Sequence, residues 1–416
     1  MWPASTENTV TGTEMKIKLG TMDSYSESGE MQPFTFQVPT RIAFGPDTAG
    51  GVGDLVKELE GKKTFIVTDA NLIKAGVLAP IFESLKQANL PEPLVFDQVP
   101  PDSDLACVSR ATKIASEAGC DCVIAVGGGS VTDTAKAVNI GLSYGSDMMD
   151  YQGINTLPSR LRPLIAIPTT AGTGSEVSFV AMVKDVEEGK KVLFGSRYLA
   201  PDAAILDPKL IVSLPPKLTA ATGFDALTHD LEAFVSSTTS PVADALALES
   251  MGLLFTHLLT ATKNGGDLAA RSGTLIASTM AGLAFTNAGV GIVHALAHAT
   301  GGWFGTHHGM TNAVFLPYGM EFNLDVAAVR YAWAARSLGI SSATEDEKAA
   351  RELIAAVRKL MVDCGLPSRL RDLGVHELPD DEMEQLAFIA VTDPAIMFNP
   401  KEASVEDVIA IYKRSY

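Results

Sequence analysis

Residues Asp121–Lys136 read DCVIAVGGGSVTDTAK. Cys122–Val126 is an apolar run of strand length; Gly127, Gly128, Gly129 and Ser130 follow, and a helical pattern starts near Val131. A run with no polar alternation suits a strand buried on both faces, as in a parallel sheet. Glycines just beyond such a strand let the backbone approach a phosphate, and the helix start behind them offers unpaired N–H groups and a positive dipole end. Ser130 can add a hydroxyl donor. The motif is not GxGxxG, and a simple tight turn explains GGGS alone equally well.

Outward from this segment the alternation recurs. Thr64–Thr68, Leu94–Phe96, Leu164–Ile167 and Ala204–Leu206 read as short strands, with helical stretches such as Ala111–Ala118 and Thr132–Ile140 between them. The pattern predicts a mostly parallel sheet with helices on both faces. After Leu164–Ile167 comes a second Gly/Thr-rich loop, Pro168-Thr169-Thr170-Ala171-Gly172-Thr173-Gly174-Ser175-Glu176. A helix cap at Thr173 or Ser175 would explain it, but two such loops at strand carboxyl ends favour a nucleotide. Asp69, closing Thr64–Thr68, is suited to an adenosine ribose; an N-cap is its ordinary alternative.

At 416 residues the chain exceeds what one core usually supports, so more than one domain is expected. Beyond Pro216 strand signals fade, and Pro241–Thr260, Asp267–Phe285, Val326–Leu338 and Glu345–Cys364 carry helical periodicity. The expected division is a polar extension over 1–33, an α/β dinucleotide-binding domain over 34–214 and an all-helical metal and catalytic domain over 215–416. Residues 1–33 hold five acidic residues and no arginine or long apolar run, which argues against a signal or transit peptide. No later segment reads as an uninterrupted membrane-length apolar stretch. The net charge of −17 argues against nucleic acid or an anionic membrane as partner. Cys107, Cys120, Cys122 and Cys364 show no CxxC spacing, so reduced structural thiols and a cytoplasmic setting are expected.

Chemistry concentrates in the helical half. Of seven histidines, His294, His298, His307 and His308 fall in one short stretch. Asp225 and His229 sit four apart, which places both on one helix face, and His294 and His298 repeat that spacing. Imidazoles with a carboxylate suit Fe²⁺, Zn²⁺ or a similar divalent ion, and a catalytic site keeps one position open. His307 and His308 are equally eligible on these grounds.

From about Phe34 to the C-terminus the chain resembles the iron-containing (group III) alcohol dehydrogenases. The resemblance lies in IAFG at 42–45, IVTDA at 66–70, GGGSVTDTAK at 127–136, IPTTAGTGSE at 167–176, ILDP at 205–208, TGFDALTHDLEAF at 222–234 and the histidine segment at 291–309. It implies a dehydroquinate synthase-like architecture, an N-terminal nucleotide-binding α/β domain and an all-α C-terminal metal-binding domain. It also implies metal ligation by Asp225, His229, His294 and His308, with Fe²⁺ the usual ion and Zn²⁺ or another divalent metal the alternative. His307 replaces a proline common in relatives. The resemblance gives His298 a catalytic place on a proton path and Phe285 a place on the pocket wall. Gly127, Gly128, Gly129, Ser130 and Asp133 match the pyrophosphate loop, Thr169, Thr170 and Thr173 the cofactor cleft, and Lys191 a lysine near the nicotinamide ribose. Asp69 stands where NAD is preferred over NADP.

The implied activity is a metal-dependent, NAD(P)-linked alcohol dehydrogenase or aldehyde reductase, moving hydride between nicotinamide C4 and a small primary alcohol or aldehyde. Phe179, Trp303 and Phe304 are further candidates for apolar walls. A homodimer or higher homo-oligomer is expected. The alternatives are a hydroxyacid–oxoacid transhydrogenase with a tightly held cofactor and a dehydroquinate-synthase-like lyase. The lyase should bring several Lys or Arg residues to its phosphorylated substrate, whereas Ala, Leu, Gly and Phe flank the histidines here.

Overall fold

Along Cys122–Gly127, Val123 and Ala125 enter one apolar cluster while Cys122, Ile124 and Val126 enter another. Phe65 and Val67 share the first cluster and Ile66 the second, so the strand at Thr64–Val67 is likewise covered on both faces. This double burial is why the strands are continuously apolar, and it requires helices on both sides of the sheet. The computed structural model describes residues 33–145, 148–188 and 190–416, within which Phe36–Tyr416 is one compact unit. The polar extension expected over 1–33 lies, apart from Pro33, outside the described residues.

The strands are β1 (Arg41–Phe44), β2 (Thr64–Val67), β3 (Leu94–Phe96), β4 (Cys122–Gly127), β5 (Gly153–Ile154), β6 (Leu164–Pro168), β7 (Val180–Asp185), β8 (Lys190–Gly195) and β9 (Ala203–Leu206). Six form a parallel sheet in the order β1-β9-β6-β4-β2-β3. Between and around them run α1 (Val52–Glu58), α2 (Ala70–Lys74), α3 (Ala79–Gln87), α4 (Leu105–Glu117) and α5 (Gly129–Tyr144). Helix α5 starts two residues before the position expected from sequence, because Gly128 in extended conformation serves as its N-cap.

Two features differ from the sequence reading. First, β7 and β8 form an antiparallel hairpin, joined by β5 in a separate three-stranded sheet. Ala181, Val183, Val192 and Phe194 face the core, but Lys184, Asp185 and Lys191 mask the alternation beside the hairpin's turn. Second, no helix follows the Thr-rich loop, so neither Thr173 nor Ser175 is a helix cap; the chain runs from Glu176 into β7.

Beyond Pro216 the chain is helical, as expected: α6 (Pro216–Val235), α7 (Pro241–Lys263), α8 (Leu268–Ala288), α9 (Ile292–Phe304), α10 (His308–Phe322), α11 (Leu324–Ser337), α12 (Asp346–Asp363), α13 (Asp380–Val391) and α14 (Val405–Ser415). Helix α6 is buried nearly all round, enclosed by α7, α8 and α10. By length and composition α7 would pass as a membrane span, although Asp244 and Glu249 interrupt its apolar run. Its buried positions Ala243, Ala247, Met251, Leu254, Leu258 and Ala261 form a helical stripe packed into the bundle instead.

The Thr-rich loop is seated directly on this bundle. A Cβ at Gly172 would lie 2.6 Å from the Thr222 carbonyl oxygen of α6, and one at Gly174 would lie 2.4 Å from Cα of Gly282 in α8. Gly174 also holds a φ of +60°, in the left-handed region. Gly174→Ala is therefore expected to cost about 2–4 kcal/mol from left-handed strain plus overpacking. A lowered urea midpoint at unchanged denaturant slope checks this.

Candidate active site

Asp225, His229 and Glu232 lie on one face of α6 at intervals of four and three residues. His294 stands in the first turn of α9, which crosses that face, and His308 opens α10. Ligand atoms of Asp225, His229 and His294, all buried, lie within 4.8 Å of one another. His294 Nε2 is 3.9 Å and His308 Nε2 is 3.4 Å from Asp225 Oδ1. Gly309 permits this approach: a Cβ there would come within 2.4 Å of the Ala221 carbonyl oxygen. His307, by contrast, is exposed, and its carbonyl accepts from Met310 and Thr311 at the start of α10.

The cluster's electrostatics fit a divalent metal. Burial and the neighbouring His294 hold His229 well below the usual imidazole pKa. His308 is depressed likewise, by desolvation and by His298 and His294. Both therefore present unprotonated nitrogens. Burial alone would lower His294 too, but the carboxylates of Glu232, Asp225 and Asp393 reverse the sign and raise it. Burial pushes Asp225 up, against His294 and a hydrogen bond from Asn312. Three imidazoles and one carboxylate form a donor set for a borderline transition ion.

Glu232 was not singled out in the sequence, although its spacing from His229 could have shown it. Its Oε2 lies 2.5 Å from His294 Nδ1, and its Oε1 accepts from the Val293 N–H at 2.6 Å. It thus pins the His294 ring, leaves Nε2 facing Asp225, and caps the first turn of α9. Asp393 is a second such partner. Its Oδ2 is 3.0 Å from His298 Nδ1, while its Oδ1 accepts from Ala395 N–H at 2.8 Å in the turn Pro394–Phe398. The His298 ring stacks on His308 at 5.4 Å and 15°. An Asp-Pro pair, a common turn-opening signal, was the only trace of Asp393 in the sequence.

Phe285 stacks on His229, ring centroids 4.3 Å apart. Phe179, immediately before β7, is half-buried, and its N–H donates to Thr286 Oγ1 of α8 at 3.0 Å. Trp303 and Phe304 do not belong to the cluster. Trp303 is exposed beside Phe388 and Ile389 of α13, and the Phe304 ring meets His376 edge-on. At the end of α9 both have turned away from the face that carries His294 and His298.

The two loops meet as the sheet register dictates, since Gly127 of β4 pairs with Pro168 of β6. Thr169 N–H donates to the Gly127 carbonyl at 3.0 Å; a Cβ on Gly128 would meet Thr170 at 3.1 Å, and one on Gly129 would meet Thr173 at 2.7 Å. Ser130 Oγ accepts from Asp102 N–H at 3.2 Å. Asp133 turns inward: Ser175 Oγ donates to its Oδ1 at 2.5 Å and Met182 N–H to its Oδ2 at 3.0 Å. The same loop is clamped by Lys136, a residue the sequence reading passed over. Its buried ammonium, lowered to about 8 by desolvation, donates to Ser175 Oγ, the Ser178 oxygens and the Val180 carbonyl. Lys191 Nζ lies 3.2 Å from Asp102 Oδ1. Asp69, on the adjacent strand's carboxyl end, caps α2 through Oδ1. The Gly172 backbone meets the His229 imidazole, so the loop edge and the donor cluster adjoin.

These features define a metal-dependent dehydrogenase class, and comparison with known proteins agrees. Residues 39–208 match the iron-containing alcohol dehydrogenase family, and residues 219–416 match its C-terminal region. The chain is 36% identical to the NAD-dependent methanol dehydrogenase of Bacillus methanolicus over 381 residues, covering 91% of this chain and 99% of that protein. It is also 36% identical to the 1,3-propanediol dehydrogenase of Klebsiella pneumoniae over 386 residues, 92% of this chain and 99% of the relative. A crystal structure of 1,3-propanediol oxidoreductase superposes with a TM-score of 0.89 at 36% identity, covering 92% of this chain and 100% of that one. The chain belongs to the iron-containing alcohol dehydrogenase family. It is an oxidoreductase of the CH–OH group, interconverting alcohol and aldehyde with a nicotinamide cofactor.

His308→Ala is expected to abolish stoichiometric metal retention, whereas His307→Ala retains it. Elemental analysis after anaerobic loading and desalting distinguishes the two.

Proposed function

We propose that this chain oxidises small primary alcohols and reduces the corresponding aldehydes, with NAD rather than NADP and with Fe²⁺ held by Asp225, His229, His294 and His308. The carrying observation is that the loop bearing Thr169, Thr170 and Thr173 also brings Gly172 against His229, so cofactor edge and donor cluster share one cleft. When bound, the metal would supply Lewis acidity toward a substrate oxygen, and the dinucleotide would supply a hydride acceptor or donor.

The chain's own residues do the rest. Gly127, Gly128, Gly129 and Ser130 offer the start of α5 to a pyrophosphate, and Asp133 and Lys136 keep the facing loop in place. Asp69 spends Oδ1 on its helix cap, which leaves Oδ2 to accept from a ribose hydroxyl and to repel a 2′-phosphate. Lys191 lies at the nicotinamide end of the cleft. Glu232 fixes the His294 tautomer, and Phe285 shields the His229 ring from water. His298, with Nδ1 held by Asp393, keeps Nε2 for the hydroxyl proton. We assign the loops and the donor cluster to two domains, 34–214 and 215–416, in a cytoplasmic homodimer or higher homo-oligomer.

Anaerobic reconstitution with Fe²⁺ or Zn²⁺, followed by NADH and NADPH oxidation over a panel of aldehydes, tests this reading. Activity should require the metal and favour NADH, and Asp69→Gly should narrow that preference. Full activity in metal-free protein would overturn the metal's role, and equal use of both cofactors would remove that of Asp69. Repeated reduction of free NAD⁺ by alcohol alone counts against an obligate transhydrogenase. Asp393→Asn is expected to lower kcat by about 10- to 100-fold at unchanged metal content, with an altered pH–rate profile.

A further inference from the structure

Asn312 stands one helical turn after His308 on α10 and is fully buried. Its Nδ2 lies 2.7 Å from Asp225 Oδ1, 3.1 Å from His308 Nε2 and 3.3 Å from His294 Nε2. One amide nitrogen therefore touches three of the four donors that converge from α6, α9 and α10. Glu232 Oε2 lies on the Nδ1 side of His294, so Asn312 meets the opposite nitrogen of that ring. Turning the amide over would set Oδ1 against the Asp225 carboxylate oxygen, so the nitrogen is the end that this contact requires. Oδ1 has no partner among the described residues, so the side chain leaves an acceptor buried and unpaired in order to bring its donors here.

We infer that Asn312 is the positioning residue of the donor cluster. Its amide holds the Asp225 carboxylate in one orientation, and so decides how that carboxylate is presented to a divalent cation. The inference rests on the reading of Asp225, His229, His294 and His308 as a cation site. Of the three contacts, that to Asp225 is the shortest and is charge-assisted, so it dominates. The carboxylate is buried, so bulk water does not compete with the amide for it. A space-filling role would need only the volume of the side chain; a positioning role needs its N–H groups.

Asn312→Leu keeps the bulk and removes the donors, whereas Asn312→Ala removes both. Co²⁺ is the probe, read by competition against a chelator and by its visible absorption bands in the full-length protein. Both variants are expected to bind Co²⁺ about 10- to 100-fold more weakly. Both should also show shifted bands, as the carboxylate changes its mode of contact. Thermal unfolding of each metal-free variant checks that the fold persists; if the Leu variant does not fold, the Ala variant decides by the same two readings. A folded Leu variant with unchanged affinity and bands would overturn the inference. Asp225→Asn, measured in parallel, separates the two levels. Loss of Co²⁺ by that variant alone leaves the cation site standing and removes only the role of Asn312. No binding by the unmodified chain would overturn both.

Discussion

Backbone-to-backbone contact between the Thr-rich loop and the helices beneath it is the constraint on which the site depends. Gly172 rests on the Thr222 carbonyl of α6, and Gly174 on Gly282 of α8, at separations no side chain would allow. Helix α6 is the same helix that carries Asp225 and His229, about one and two turns further along. Seating the loop there couples the carboxyl edge of the sheet to the donor cluster at atomic distance. Without that contact the glycine-rich loops and the histidines would each persist as local structure, but would not adjoin.

The site sits in a low-dielectric interior where unpaired charge is costly. Several buried ionisable groups meet that cost by a specific partner. Glu232 compensates His294, Asp393 compensates His298, and Lys136 lies among four oxygens with Asp133 and Glu176 nearby. His229 and His308 avoid it by remaining neutral, which is the state a metal ligand must have. Carboxylates pinned to imidazoles outside the donor set also restrict ring rotation. The geometry is therefore prepared by the chain itself, and the first turn of α9 is held by the same Glu232 that orients His294.

Much of this was legible in the sequence because it is local. Strands buried on both faces must be continuously apolar, so β2, β4, β6 and β9 announced themselves. The spacing of Asp225 and His229 follows from helical geometry alone. What escaped was whatever depends on partners far along the chain. Lys184, Asp185 and Lys191 concealed the β7–β8 hairpin, whose apolar face is recognisable only against α5. Helix α7 is apolar enough over its length to pass as a spanning helix, and the bundle packed on its buried stripe marks it as a core helix. Trp303 and Phe304, near the histidines in sequence, turn away from them because α9 rotates by about 100° per residue.

The sequence by itself determined the alternation of strands and helices, the two glycine-rich loops and the stock of donor groups, since each depends on neighbours within a few positions. Only the tertiary structure decided among them. It turned His308 inward and left His307 exposed, because Gly309 lets α10 approach α6. It gave Glu232, Asp393 and Asn312 their partners across 62, 95 and 87 positions of chain. Contacts that distant leave no periodicity to read. They exist only once packing has brought α6, α9 and α10 to a single buried point.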